Sequence, residues 1–235
     1  MKNMEVKILR LWLALDLTLH RSDAEKIRGY LGNLFWDNPY AHHHNKYGKL
    51  IYRYPCVQYK ILDGRCLLIG FNEGIEIVEK VFHDLKSINL EGRLEEFTSK
   101  GIEVRNEKFS ISQEYIRYSF STPWLALNEK NFEKYRMLKT WNDRKELLKK
   151  VILPGNIISM SKSLGYTVPD IIQASIHNVK ETPTSLKGVP MIGFSGSFSV
   201  NFDLPDYIGL GKSVSRGFGT IVKLKRNNED NGTKT

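Results

Sequence analysis

The sequence predicts an α+β chain made of two ferredoxin-like (RRM-like) βαββαβ domains in tandem, the second one irregular. Three observations carry this expectation. Residues 7–109 read in the order strand, helix, strand, strand, helix, strand, and Asp63-Gly64 joins the two middle strands. From Ile116 onward a strand, a helical stretch and two strand runs follow in the same order. Where a further helix would then stand there is a glycine-rich segment, followed by a last short strand. The expected boundaries are 1–110 and 111–226 for the two domains, with a polar tail over 227–235.

The composition fits a folded chain. Of 235 residues 41% are hydrophobic and 11% aromatic, which excludes disordered, collagenous and disulfide-dense classes. The balance of 35 Lys plus Arg against 26 Asp plus Glu gives +9 and suits a polyanionic partner, either nucleic acid or an acidic membrane surface. Met1 to Leu19 has a basic start and an apolar run. Arg10 and Asp16 interrupt that run and no small-residue cleavage site follows, so it reads as a buried strand rather than a targeting segment. No apolar stretch approaches the roughly 18 residues of a membrane span. Cys56 and Cys66 are the only cysteines. A two-residue turn at Asp63-Gly64 sets Cys66 opposite Ile61 and Cys56 opposite Phe71, so the sulfurs are not cross-strand partners. A reducing, cytoplasmic location is expected.

Each element has a local reason. Residues 7–17 are mostly apolar on both faces and read as a strand. Ser22 and Glu25 form a capping box for a helix running to about Phe35, with Ala24, Ile27, Leu31 and Leu34 as its apolar stripe. A polar segment from Trp36 to Lys49 contains His42-His43-His44. Leu50 to Leu62 and Arg65 to Phe71 are strands, and Asp63-Gly64 is the composition of a type I′ turn. Glu73 to Lys86 is helical with Ile75, Val78, Phe82 and Leu85 inward, and a strand within Leu94 to Phe109 closes the unit.

In the second half, Ile116 to Leu127 reads as a strand. Asn128 or Asn131 caps a long basic helix carrying Phe132, Tyr135, Leu138, Trp141 and Leu148. Pro154-Gly155 ends that helix, and Asn156 caps another up to Gly165. Strands follow at Ile171 to Lys180, Val189 to Phe202 and Thr220 to Lys225.

The glycine-rich run Gly209-Leu210-Gly211-Lys212-Ser213-Val214-Ser215-Arg216-Gly217-Phe218-Gly219 is the most unusual stretch. A phosphate-binding P-loop needs a glycine where Asp206 stands, and a helix where a strand is read, so that assignment fails. No G-x-G-x-x-G spacing is present either. What remains is a backbone able to approach a ligand closely at Gly209, Gly211 and Gly217, charge from Lys212 and Arg216, and donors from Ser213 and Ser215. A turn that merely joins strands is the competing explanation.

This run resembles the C-terminal glycine-rich loop of the CRISPR-associated endoribonucleases that process precursor crRNA, within the repeat-associated mysterious protein (RAMP) superfamily. Asp23-Ala24-Glu25-Lys26-Ile27-Arg28-Gly29-Tyr30, the histidine segment, and Tyr52-Arg53-Tyr54-Pro55-Cys56-Val57-Gln58-Tyr59-Lys60 resemble most closely the branch associated with type I-B systems. The resemblance implies tandem ferredoxin-like domains, CRISPR repeat RNA as partner, and metal-independent cleavage leaving a 2′,3′-cyclic phosphate, with no cofactor. A catalytically inactive RAMP-type crRNA-binding subunit of an effector complex is the alternative. An interference complex and a second copy of the chain are further partners it allows; a membrane is not.

Attack by an RNA's own 2′-OH needs a base for that proton, an acid for the 5′-oxygen and positive charge near the phosphorane. Histidine, with a reference pKa of about 6.5, serves either proton role. In an extended segment His42 and His44 share a face while His43 points away. His42 and His44 are therefore the acid–base candidates, with Tyr52 as third member and Lys46 or Arg53 supplying charge; the family places its catalytic histidine after the first helix. Tyr54, on the same strand face as Tyr52, is the substitute. Zinc held by His42 and His44 is disfavoured, because a closed site wants four ligands and no cysteine lies nearby. His20, His83 and His177 are lone residues, read as structural or solvated.

RNA contacts are expected from Lys46, Arg53, Lys60, Gly209, Gly211, Lys212, Ser213, Arg216 and Gly217. Tyr47, Tyr52, Tyr59 and Phe218 are candidates for stacking on unpaired bases. The basic helix, with Lys130, Lys134, Arg136, Lys139, Arg144, Lys145, Lys149 and Lys150, also carries Glu129, Glu133, Asp143 and Glu146, and reads as a solvated face first.

Overall fold

A computed structural model describes residues 4–35 and 54–225. In the first domain, strand β1 (Glu5–Leu15) is followed by helix α1 (Asp23–Leu34), strands β2 (Val57–Leu62) and β3 (Arg65–Phe71), helix α2 (Gly74–Asp84), and strands β4 (Ser87–Leu90) and β5 (Arg93–Lys108). The sheet order is β2-β3-β1-β5-β4, antiparallel throughout. Asp63 and Gly64 have φ of +48° and +73°, as a type I′ turn demands, and Ile61 faces Cys66 in register. Phe71 N–H donates to Cys56 O at 3.0 Å, and both cysteines are buried and share no disulfide.

The strand expected within Leu94 to Phe109 is β5. The structure adds a short strand before it, because Glu91 and Gly92 adopt φ of +55° and +92° and fold β4 back on β5. The Ser22–Glu25 capping box does not form: Ser22 is already helical and makes no side-chain cap bond. Asp23 instead accepts from His20 N–H at 2.8 Å, closing a turn that leads into α1. Leu34, read as part of the stripe, is exposed at the helix end.

The second domain contains β6 (Ser110–Phe120), α3 (Glu129–Met137), α4 (Trp141–Leu147), a π-turn (Leu148–Ile152), α5 (Leu153–Ser163), β7 (Ala174–Leu186), β8 (Val189–Asp203), a 3₁₀ turn (Val214–Arg216) and β9 (Ile221–Lys223). Its sheet order is β7-β8-β6-β9. Both sheets thus place the second, third, first and last strands of a βαββαβ unit side by side. In the second domain the glycine-rich segment stands where the second helix would be.

The single long helix is not formed. Asn128 caps α3 by accepting from Asn131 N–H, and Thr140 starts α4 by accepting from Asp143 N–H. Pro154 does not end a helix: helical backbone runs unbroken from α4 through the π-turn into α5, and the wider hydrogen-bond spacing of that π-turn accommodates its missing N–H. The π-turn just before it carries the chain across. Asn156 is no cap either: its side chain accepts from Trp124 Nε1 at 3.0 Å.

Helices α1 and α2 cover one face of the first sheet, burying Leu9, Leu11, Leu13, Val57 and Tyr59. The opposite face, with Val6, Ile8, Leu67, Ile69 and Phe71, shares a core with the second domain. Arg10 crosses this junction, donating to Asp206 O at 2.7 Å and pairing with Glu107, while the Trp12 and Tyr207 rings meet edge to face. The first domain's sheet face is therefore closed to a ligand.

Candidate nucleic-acid interface

The glycine-rich segment leaves β8 and is held by alternating buried anchors, Ile208, Leu210, Val214 and Phe218. Its stem is closed by Leu210 N–H donating to Gly219 O and by a bridge between Gly209 and Thr220. Gly219, at φ +62°, could carry no side chain, since a Cβ would lie 1.9 Å from Leu210 O. Lys212 N–H donates to Leu125 O, Arg216 N–H to Ser213 O, and Gly217 N–H to Val214 O. Much of the loop's backbone is thus satisfied within the protein. The close approach expected from its glycines is an approach to protein: Gly211 lies against Leu125 O, and Gly217 against Ala24 of α1 and Tyr59 O of β2.

Side chains, rather than backbone, present charge here. Lys212 is exposed, Ser213 is partly exposed at φ +56°, and Arg216 is half-buried beside α1. Across from it stand two arginines not foreseen from the sequence. Burial, and secondly the neighbouring Arg216, hold the Arg28 guanidinium below its ordinary pKa. Arg28 Nε is buried with no hydrogen-bond partner. Arg21 lies 4.6 Å over the Phe218 ring and donates to Thr184 Oγ1 at 3.0 Å. Burial lowers its pKa too, partly offset by Glu25. Arg21 lies in the turn before α1 and Arg28 on the helix itself, so no periodicity in the sequence joins them. Arg28 and Arg216 thus meet where α1 touches the 3₁₀ turn, with Arg21 over Phe218 of the same segment and Glu25 near both Arg21 and Arg28; the excess of positive charge there favours an anion.

Tyr54 lies at the end of the segment carrying the histidines. Its hydroxyl donates to Gly209 O, and its ring stacks on Phe71 with centroids 5.7 Å apart. Burial pushes its pKa up, so it serves as a tie and not as the substitute proton-transfer group. Gln58 Oε1 accepts from Gly209 N–H at 2.9 Å, so both backbone groups of that glycine are fixed by the first domain.

Lys60 corrects a further expectation. It is 0% exposed, its Nζ has no partner, and burial lowers its pKa to about 7. The reason is the fold: every residue of β2 is buried, because the strand is sandwiched between its own helices and the second domain. Lys60 is covered and cannot touch RNA directly. Tyr59 and Phe218, considered for base stacking, are core residues. His42, His44, Lys46, Tyr47, Tyr52 and Arg53 lie outside the described residues. On the basic helices, Glu146 pairs with Lys149 and Lys150 and Glu181 with Arg144, as a solvated face would. His177 bonds Ser199, and His83 packs on Phe82. Among the described residues no helix is long and apolar enough to cross a membrane.

Comparison with known proteins follows the same division of the chain. The family description "Cas6b N-terminal domain" matches residues 4–108, and "Cas6b C-terminal domain" matches residues 110–224. A solved structure described as "Crystal structure of Cas6b" is 38% identical, with a TM-score of 0.86 over 94% of this chain and 100% of that one. Another, "Crystal structure of CRISPR RNA processing endoribonuclease Cas6b", is 36% identical, with a TM-score of 0.75 and the same coverage. An uncharacterised protein of Methanocaldococcus jannaschii is 38% identical over 146 residues, 62% of this chain and 98% of its own length.

Proposed function

The chain belongs to the Cas6b family, and from that premise we propose that it is an endoribonuclease that cuts CRISPR repeat RNA in the precursor crRNA without a metal or cofactor. The observation that supports this best is Arg28 beside Arg216 where α1 meets the glycine-rich segment, with Arg21 over Phe218 of that segment, which Tyr54 and Gly209 tie to the stretch carrying the histidines. A related structure described as an RNA-processing endoribonuclease adds to it.

In the reaction, the 2′-oxygen attacks the adjacent phosphorus and the bond from phosphorus to the 5′-oxygen breaks. One of His42 and His44 takes the 2′-OH proton, and the other gives a proton to the departing 5′-oxygen. Tyr52 orients these groups. Lys46, Arg53, Lys212 and Arg216 offset the charge gathering on the phosphorane. No water is consumed, and the products carry a 2′,3′-cyclic phosphate and a 5′-OH.

Substitution of both histidines tests the assignment. The His42→Ala/His44→Ala protein is expected to bind repeat RNA with unchanged affinity and to lose cutting. A doubly substituted protein that still cuts refutes this site. Wild-type protein that binds and never cuts is instead a silent RNA-binding subunit.

A further inference from the structure

The helices of the second domain cover only one face of its sheet. Tyr118, Phe120, Phe198 and Val200 point into the core beneath them. The other face is built from cross-strand rows: Ser119 opposite Ser197 opposite His177, and Arg117 opposite Ser199. Beyond a bulge at Asn178 and Val179, Lys180 faces Ser195 on that side. Arg117 and Lys180 are exposed, and His177 Nε2 lies 2.9 Å from Ser199 Oγ.

Three features of this face select its occupant. It is cationic, and the nearest carboxylates are engaged elsewhere: Glu181 with Tyr135 and Arg144 on the helix side, and Asp203 with Lys223. Its paired rows hold hydroxyl, imidazole and guanidinium groups, which offer donors to phosphate and ribose oxygens. It also runs into the site already described. Thr184, in phase with Lys180 along β7, accepts from Arg21, the same arginine that lies over Phe218 of the glycine-rich segment.

We propose that this uncovered sheet face, through Arg117, His177 and Lys180, is a second contact surface for the RNA and holds its ribose–phosphate backbone. The proposal rests on the reading of the chain as a repeat-RNA endoribonuclease. It assigns to the sheet, and not to the basic helices, the charge that holds RNA beyond the cut.

The test is fluorescence anisotropy with labelled repeat RNA, comparing wild type with Arg117→Glu/Lys180→Glu. The control is Lys130→Glu/Lys134→Glu on α3, which makes the same change in net charge. The sheet variant is expected to bind about tenfold more weakly at about 0.1 M salt, with a log–log salt slope shallower by about 1.4 if two single-strand phosphate contacts are lost. The helix control stays within about twofold of wild type, and Arg117→Lys/Lys180→Arg restores binding. The single-turnover cutting rate at saturating protein is unchanged. Equal weakening in both charge variants would mean net charge alone, and overturns the proposal. So does unaltered affinity in the sheet variant, including the case where sedimentation shows that its oligomeric state has changed instead. If wild-type protein binds no repeat RNA, the endoribonuclease reading itself fails; wild-type binding with an indifferent sheet variant defeats only the sheet proposal.

Discussion

The Tyr54 hydroxyl donates to the carbonyl oxygen of Gly209, while Gln58 accepts from the same residue's N–H. Two side chains of the first domain thus fix the entry of the glycine-rich segment in the second. Tyr54 also ends the stretch that carries His42 and His44, so one hydrogen bond joins both halves of the proposed site. Tyr54→Phe keeps the ring on Phe71 and leaves a buried carbonyl unpaired. It is expected to lower the unfolding free energy by about 1–3 kcal/mol in urea titrations. Because the hydroxyl is a tie and not a proton donor, the pH profile of cutting keeps its shape.

Lys60 gives the opposite sign. Its folded pKa is about 7 against an ordinary 10.5, so between those values the unfolded chain binds more protons and stability rises with pH. Below about pH 7 both states are charged and the full burial penalty applies. Lys60→Met removes the penalty and is expected to be more stable, by up to about 4 kcal/mol at neutral pH. That advantage shrinks as pH rises toward 10, which melting curves across the range will show. RNA affinity stays within about twofold of wild type, since no phosphate contact is lost.

Arg28 is half-buried with its Nε unpaired beside Arg216, an arrangement that costs stability and favours an anion. Arg28→Ala is expected to leave the urea midpoint unchanged or raised. RNA binding falls about tenfold, and the salt slope becomes shallower by about 0.7 for one lost single-strand contact. Calorimetric or anisotropy titrations at several salt concentrations read both.

Two glycines predict opposite outcomes for one change. Gly217 has φ +81°, and a Cβ there would sit 3.2 Å from Ala24 Cβ and from Tyr59 O. Gly217→Ala is expected to cost about 1–2 kcal/mol and to weaken RNA binding by displacing the segment from α1. Gly29, exposed on α1, has nothing within 4 Å of a Cβ. Gly29→Ala stabilises by about 0.5–1 kcal/mol. Thermal melts of the two variants compare them directly.

Much of this architecture was legible in the sequence. Apolar stripes such as Ala24, Ile27 and Leu31, and the Asp63-Gly64 turn, report local constraints that the fold obeys. The missing helix of the second domain was legible too, because four glycines in eleven residues cannot propagate one. The long helix was misread because Leu138 and Trp141 keep a helical spacing across a break that Thr140 caps. Pro154 was misread because a π-turn lets the helix run on through a residue that would otherwise break it. Lys60 was hidden for a tertiary reason: strand alternation cannot reveal that a second domain covers the outer face of β2. Arg21 and Arg28 stayed unnoticed because their meaning comes from the glycine-rich segment opposite, 188 residues on from Arg28 to Arg216.

The central claim is cleavage by the RNA's own 2′-OH, and a set of repeat RNAs with a single 2′-deoxy nucleotide at each position, incubated with the protein in EDTA, tests it most directly. We expect one discrete cut with a cyclic phosphate end, abolished by deoxy substitution at the nucleotide 5′ to the scissile phosphate and at no other position. A cut that survives every deoxy substitution, or that disappears in EDTA and returns with a divalent metal, contradicts it.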